Sequence, residues 1–131
     1  MTLFEYVDCF SKGIATMEGF YHKDSRAQRN NNPGNLRNWT NAKVSNGYAL
    51  FDTPEAGWLA LKMQIHKNVV VRRLTLREFF GGKKGVYAGY APAADSNHPV
   101  HYAVFIFGKL QERFGDALTL KSIDDLPPHF S

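Results

Sequence analysis

Cysteine is nearly missing from this chain of 131 residues: Cys9 stands alone, so no intrachain disulfide can form. Without a Cys-Cys or Cys-His spacing there is no structural zinc motif, and Cys9, between Val7 and Phe10, reads as a packing residue. Long hydrophobic runs are missing too. The opening MTLFEYVDCF carries acids at 5 and 8 and no basic leader, and no apolar stretch reaches the roughly 18 residues of a membrane span, so neither a signal peptide nor membrane insertion is expected. There is no glycine-rich phosphate loop, no nucleophile elbow around a serine or cysteine, and no second ligand four residues from His66. The chain is therefore expected to use neither metal nor cofactor. No repeat or low-complexity linker interrupts it, and its length suits one domain spanning 1–131, a monomer.

Aromatic residues, in contrast, are abundant. Ten Phe, six Tyr and two Trp exceed what a core of this size requires, which points to aromatics lining a groove. Sixteen Lys and Arg against twelve Asp and Glu give +4 and a pI near 9.3, a balance that favours an anionic partner. Cell-wall glycan, with its lactyl and peptide carboxylates, fits that charge, and so does nucleic acid. The cations are scattered, however, and no helix with clustered Arg or Lys and no nucleic-acid module is present, so nucleic acid is not expected.

Leu3, Val7, Phe10, Ile14 and Met17 recur at spacings of four and three, the stripe of an amphipathic helix. Glu18 continues that stripe four residues after Ile14, and Gly19 follows at once to end the helix. Residues 20 to 35 read as a polar loop in which Asn32 is extended before Pro33, Pro33 and Gly34 turn the chain, and Asn30, Asn31 and Asn35 supply amides for backbone or sugar hydroxyls. LRNW, KV and YALF, with an SNG turn at 45 to 47, predict a small antiparallel hairpin or three-stranded sheet. Trp39, Tyr48 and Phe51 on it have flat faces suited to a sugar. Asp52 or Thr53 caps a second long helix starting at Pro54, whose expected core face is Ala56, Leu59, Ala60, Met63 and Val70, widened by Trp58, Leu61 and Ile65. Thr75 caps a short helix that stops at Gly81-Gly82, and 83 to 98 form an irregular segment. Pro99 then starts a helix with the stripe Val100, Ala103, Val104, Phe107, Leu110 and Phe114, ended by Gly115. The fold class that follows is mainly helical, α+β, with one small antiparallel sheet.

A glutamate at the end of an apolar stripe is out of place as a solvated residue. Burial and the negative end of the helix dipole both disfavour its charged form, and a carboxyl kept protonated near neutral pH can donate to a leaving oxygen. The alternative is that Glu18 closes its helix and pairs with Lys12, Lys23, Arg26 or Arg29. Glycosidases ordinarily use two carboxylates. Asp95 is the expected assistant, ahead of Asp24 and Asp52.

Glu18-Gly19-Phe20, RNNNPGNLR at 29 to 37, FDTPEAGWLALKMQI at 51 to 65 and YAPAADSNHPVHY at 90 to 102 resemble, in this order, a lysozyme-like group of peptidoglycan-degrading domains found in phage virion lysins and in relatives of lytic transglycosylases. The resemblance spans roughly residues 10 to 115. It implies a lysozyme fold and cleavage of the β-1,4 bond between N-acetylmuramic acid and N-acetylglucosamine with Glu18 as general acid/base. It further implies that Asn31, Asn32 and Asn35 hold the glycan while Tyr90, Tyr102 and Asn97 orient the sugar. The place of action so implied is the cell wall, periplasmic, extracellular or virion-associated. The competing expectations are a catalytically inert glycan-binding module and a basic nucleic-acid-binding domain.

Overall fold

The computed structural model describes residues 1–92 and 97–130. The protein is mainly helical, α+β, with one two-stranded antiparallel sheet. The elements are α1 (Leu3–Met17), α2 (Arg26–Arg29), β1 (Lys43–Ser45), β2 (Tyr48–Leu50), α3 (Pro54–His66) continuing into a π-helical turn (Lys67–Val71), α4 (Leu76–Gly81), and α5 (Pro99–Phe114) followed by a 3-10 turn (Gly115–Ala117). No helix among the described residues is long and apolar enough to cross a membrane.

Two compact units are formed, one of Ser11–Ile65 and the other of Met1–Phe10 with His66–Ser131. In the first, α1 ends with Ile14 and Ala15 fully buried, α2 is capped by the Ser25 hydroxyl accepting from Gln28 N–H at 3.1 Å, and the hairpin pairs Lys43 with Leu50 and Ser45 with Tyr48. Asn46 and Gly47, at φ 51° and 83°, make the two-residue turn that suits strand twist. Thr53, rather than Asp52, caps α3, its hydroxyl accepting from Ala56 N–H at 3.2 Å with Pro54 next in line.

The face that α3 buries overlaps the expected one at Ala60, Leu61 and Ile65 and leaves the rest of it out. Gly57, Ala60, Leu61 and Ile65 are inside, whereas Leu59 and Met63 are 60% and 52% exposed. Nor does LRNW form a strand. Leu36 N–H donates to Asn32 Oδ1 and Leu36 C=O accepts from Asn32 Nδ2, each at 2.9 Å, so a side chain takes the groups a strand would present; only Ala49 N–H reaches Leu36 C=O, at 2.8 Å.

The other unit is built on aromatic packing. Tyr6 and Phe10 from the start of α1 meet Phe114 and Phe79 at ring separations of 6.4 and 4.9 Å, and Phe130 lies 5.3 Å from Tyr6. Thr2 and Glu5 box the start of α1, and Thr75 and Glu78 do the same for α4. On α5 the buried residues are Ala103, Ile106 and Leu110; Val100 and Val104 from the expected stripe are exposed. The tail after α5 is held from two arginines: Arg73 donates to the carbonyls of Pro127 (2.6 Å) and Pro128 (2.8 Å), and Arg77 grips Asp124 through two nitrogens at 2.6 and 3.2 Å.

Candidate active site

Glu18 sits where α1 stops. Its N–H donates to Ile14 C=O at 2.9 Å, Gly19 N–H turns back to Thr16 C=O at 3.2 Å, and Phe20 N–H reaches Ala15 C=O at 3.0 Å. With Gly19 at φ 74°, these crossing bonds form a Schellman end whose last residue is Glu18. The side chain is half-buried beside the negative end of the helix dipole.

Asn35 comes to it from the turn after α2. Its Nδ2 donates to Glu18 Oε2 at 3.4 Å. The residue is fixed by its own N–H donating to Asn32 C=O at 2.9 Å and by a left-handed φ of 50°, which asparagine tolerates. The other end of the same amide is different: Asn35 Oδ1 is buried and has no hydrogen-bond partner. An orphaned acceptor of this kind costs about 1–3 kcal/mol.

The neighbouring asparagines do other work. Asn32 is 0% exposed, and its amide serves three backbone groups: Leu36 N–H, Leu36 C=O and Ala49 C=O, the last at 2.9 Å. The expectation that Asn32 touches glycan therefore gives way to a role in fixing the turn that carries Asn35. Asn31, at φ 51°, donates from Nδ2 to Phe51 C=O at 3.0 Å and lays its backbone on α3. A Cβ added at Gly57 would lie 1.8 Å from Asn31 C=O and 2.8 Å from Pro33 Cδ. The glycine in the FDTPEAG run is thus the floor of the Asn-rich turn.

Three groupings in this unit bring distant side chains together, and of their members the sequence offers Trp39, Tyr48 and Phe51 as flat faces for a sugar. Phe20 and Trp58 meet edge to face at 5.5 Å. Arg26 and Arg37 both stack on the ring of Tyr48, at 4.2 and 4.8 Å from its centroid. Trp39, Phe51, Leu59 and Met63 line a cleft of about 300 Å³ with exposed Asp52 at its lip. Periodicity points to none of these, because each joins positions far apart in the chain.

Tyr90, Tyr102 and Asn97 belong to the other unit. The two tyrosines flank Phe80, at 6.0 and 5.5 Å, and Tyr90 also stacks on Phe79 at 5.5 Å. Tyr90 N–H and Ala91 N–H donate to the carbonyls of Phe79 and Phe80, at 2.8 and 2.9 Å, so the segment is laid along the end of α4. Asn97 donates from Nδ2 to Pro92 C=O at 3.4 Å, and Asp95 lies outside the described residues. Among the described residues no three His, Cys, Asp or Glu side chains are grouped so as to hold a metal ion.

Comparison of the chain with protein-family models, with curated proteins and with solved structures finds no match.

Proposed function

We propose that this protein is a peptidoglycan-cleaving glycosidase of the lysozyme and lytic transglycosylase type, in which Glu18 is the general acid and base at the bond between N-acetylmuramic acid and N-acetylglucosamine. The observation that carries this reading is the Glu18–Asn35 pair. It sets a half-buried carboxyl at a helix end against an amide whose oxygen is buried without a partner. Donation from Asn35 Nδ2 to Oε2 fixes the orientation of the carboxyl, as a general acid at a glycosidic oxygen requires.

In the reaction, protonated Glu18 gives its proton to the glycosidic oxygen as the bond to C1 of the muramoyl unit breaks. The carboxylate left behind then takes a proton from the nucleophile that closes on C1, and the acid is restored. When that nucleophile is the muramoyl unit's own hydroxyl, the product ends in an anhydro ring; when it is water, the end is reducing. One carboxyl suffices for the first route. Asn35 holds the carboxyl at both stages by donating to Oε2.

Glu18→Gln keeps shape and removes the transferable proton. Cleavage of purified peptidoglycan, followed by turbidity, should fall about a hundred- to ten-thousand-fold while the melting temperature stays near that of the parent. Mass spectrometry of the wild-type fragments assigns the route from their ends. A wild type that binds glycan and releases no fragment at any pH overturns the enzymatic reading in favour of an inert glycan-binding module.

A further inference from the structure

Arg26, at the start of α2, and Arg37, two residues beyond Asn35, place their guanidinium groups on one aromatic ring, that of Tyr48 at the start of β2. Both side chains are exposed, and among the described residues neither is ion-paired with a carboxylate. Arg77 and Arg113 differ in this respect, being paired with Asp124 at 2.6 Å and Glu5 at 3.2 Å. Gathering two like charges on one ring costs repulsion, which only the ring quadrupole offsets here. The planar nitrogens of a guanidinium match a carboxylate two by two, so a stacked, acid-free pair is a fork held open for oxyanions. Arg37 and Asn35 are separated by one residue, which keeps their Cα atoms within about 7 Å. The backbone that carries one arm of the fork is therefore continuous with the turn whose amide meets Glu18.

We propose that Arg26, Tyr48 and Arg37 form a subsite for the carboxylates of the peptide stem of peptidoglycan. The identity of this ligand rests on the reading of Glu18 given above. Peptidoglycan carries its acids on the lactyl and peptide branches beside the sugar chain, and the fork supplies complementary charge in the same unit as the proposed acid. Tyr48 sets the spacing, since its ring faces both cations.

The test is co-sedimentation of wild type, Arg26→Ala/Arg37→Ala and Arg26→Lys/Arg37→Lys with intact sacculi and with glycan strands stripped of their peptides by an amidase. Wild type should bind intact sacculi more tightly than stripped strands. The double alanine variant should lose about tenfold on intact material, as expected for two exposed guanidinium–carboxylate pairs near the top of their usual range, and nothing on stripped strands. The double lysine variant should recover only part of the loss, because it keeps charge without the planar stack. Equal binding of both substrates by all three proteins overturns the subsite. So does an equal loss on stripped strands, which would mark general charge attraction, or a loss confined to duplex DNA tested alongside. Binding is measured with Glu18→Gln added to all three proteins, so that no turnover intervenes and the subsite survives or falls separately from Glu18; with Glu18 intact, fragments released with no arginine dependence overturn the subsite alone.

Discussion

At Gly57 one hydrogen atom decides how the Asn-rich turn meets α3. In a solvated helix, glycine to alanine is worth about 1 kcal/mol of added stability. Here the new methyl would overlap Asn31 C=O, a backbone atom with no rotamer to retreat into. Gly57→Ala should instead destabilise by about 2 kcal/mol or more and lower the melting temperature by roughly 5 °C or more. A circular dichroism melt that rises on substitution would show that the turn does not rest on this position. Nothing in FDTPEAG announces the contact, because the partner atoms are 24 and 26 residues away. Asn32 was obscure for a related reason: an asparagine spent on Leu36 and Ala49 looks, in sequence, like one offered to a sugar. The place of Glu18 was legible, since a stripe followed by acid and glycine has few other structural solutions. Tyr6 adds a pH effect. Burial raises its phenol well above the ordinary value near 10, so the folded protein holds a proton that the unfolded chain gives up. Its contribution is fully present below pH 10 and is lost as pH rises toward the folded value. The urea midpoint should fall between about pH 9 and about pH 11, and fall less in Tyr6→Phe; equal falls would assign the alkaline loss elsewhere.

At the scale of elements, starts and stops were plain and faces were not. Thr53-Pro54, Thr75 with Glu78, Asn46-Gly47, and Pro99 with Gly115 each act within a few residues, and the structure uses each where the chemistry directs. Faces depend on what lies opposite. In α3 apolar side chains stand at 56, 58, 59, 60, 61, 63 and 65, nearly all round the helix, so periodicity selects no single side. The choice is made by Gly57, which turns inward with Leu61 and Ile65 and leaves Leu59 and Met63 to line the cleft with Trp39. In α5, Ile106 takes the place that the stripe gave to Val104. The third strand failed because Asn32 reached Leu36 before a neighbouring strand did. The Arg26–Tyr48–Arg37 stack had no sequence signature at all, since cation–π pairing follows no spacing.

For the molecule as a whole, the arrangement of the units along the chain matters more than their size. The unit of Ser11–Ile65 is one continuous stretch, whereas the other draws on Met1–Phe10 and on everything from His66. Its bonds span great separations: Cys9 to Lys109 C=O and Arg113 to Glu5 link positions 100 and 108 residues apart. Loop closure of that order is paid before such contacts reward it, so they form late. Pulse-labelled hydrogen exchange during refolding should protect the β1–β2 hairpin before the amides of Tyr6 to Phe10, and the reverse order would exclude this sequence of events. The same asymmetry reaches into synthesis. On the ribosome, the first turns of α1 emerge well before their ring partners Phe79, Phe114 and Phe130, which follow about 70 to 120 residues later at roughly 5–20 residues per second. Until then the aromatic face of the nascent helix is without its lid, and that interval is when a chaperone would find this chain.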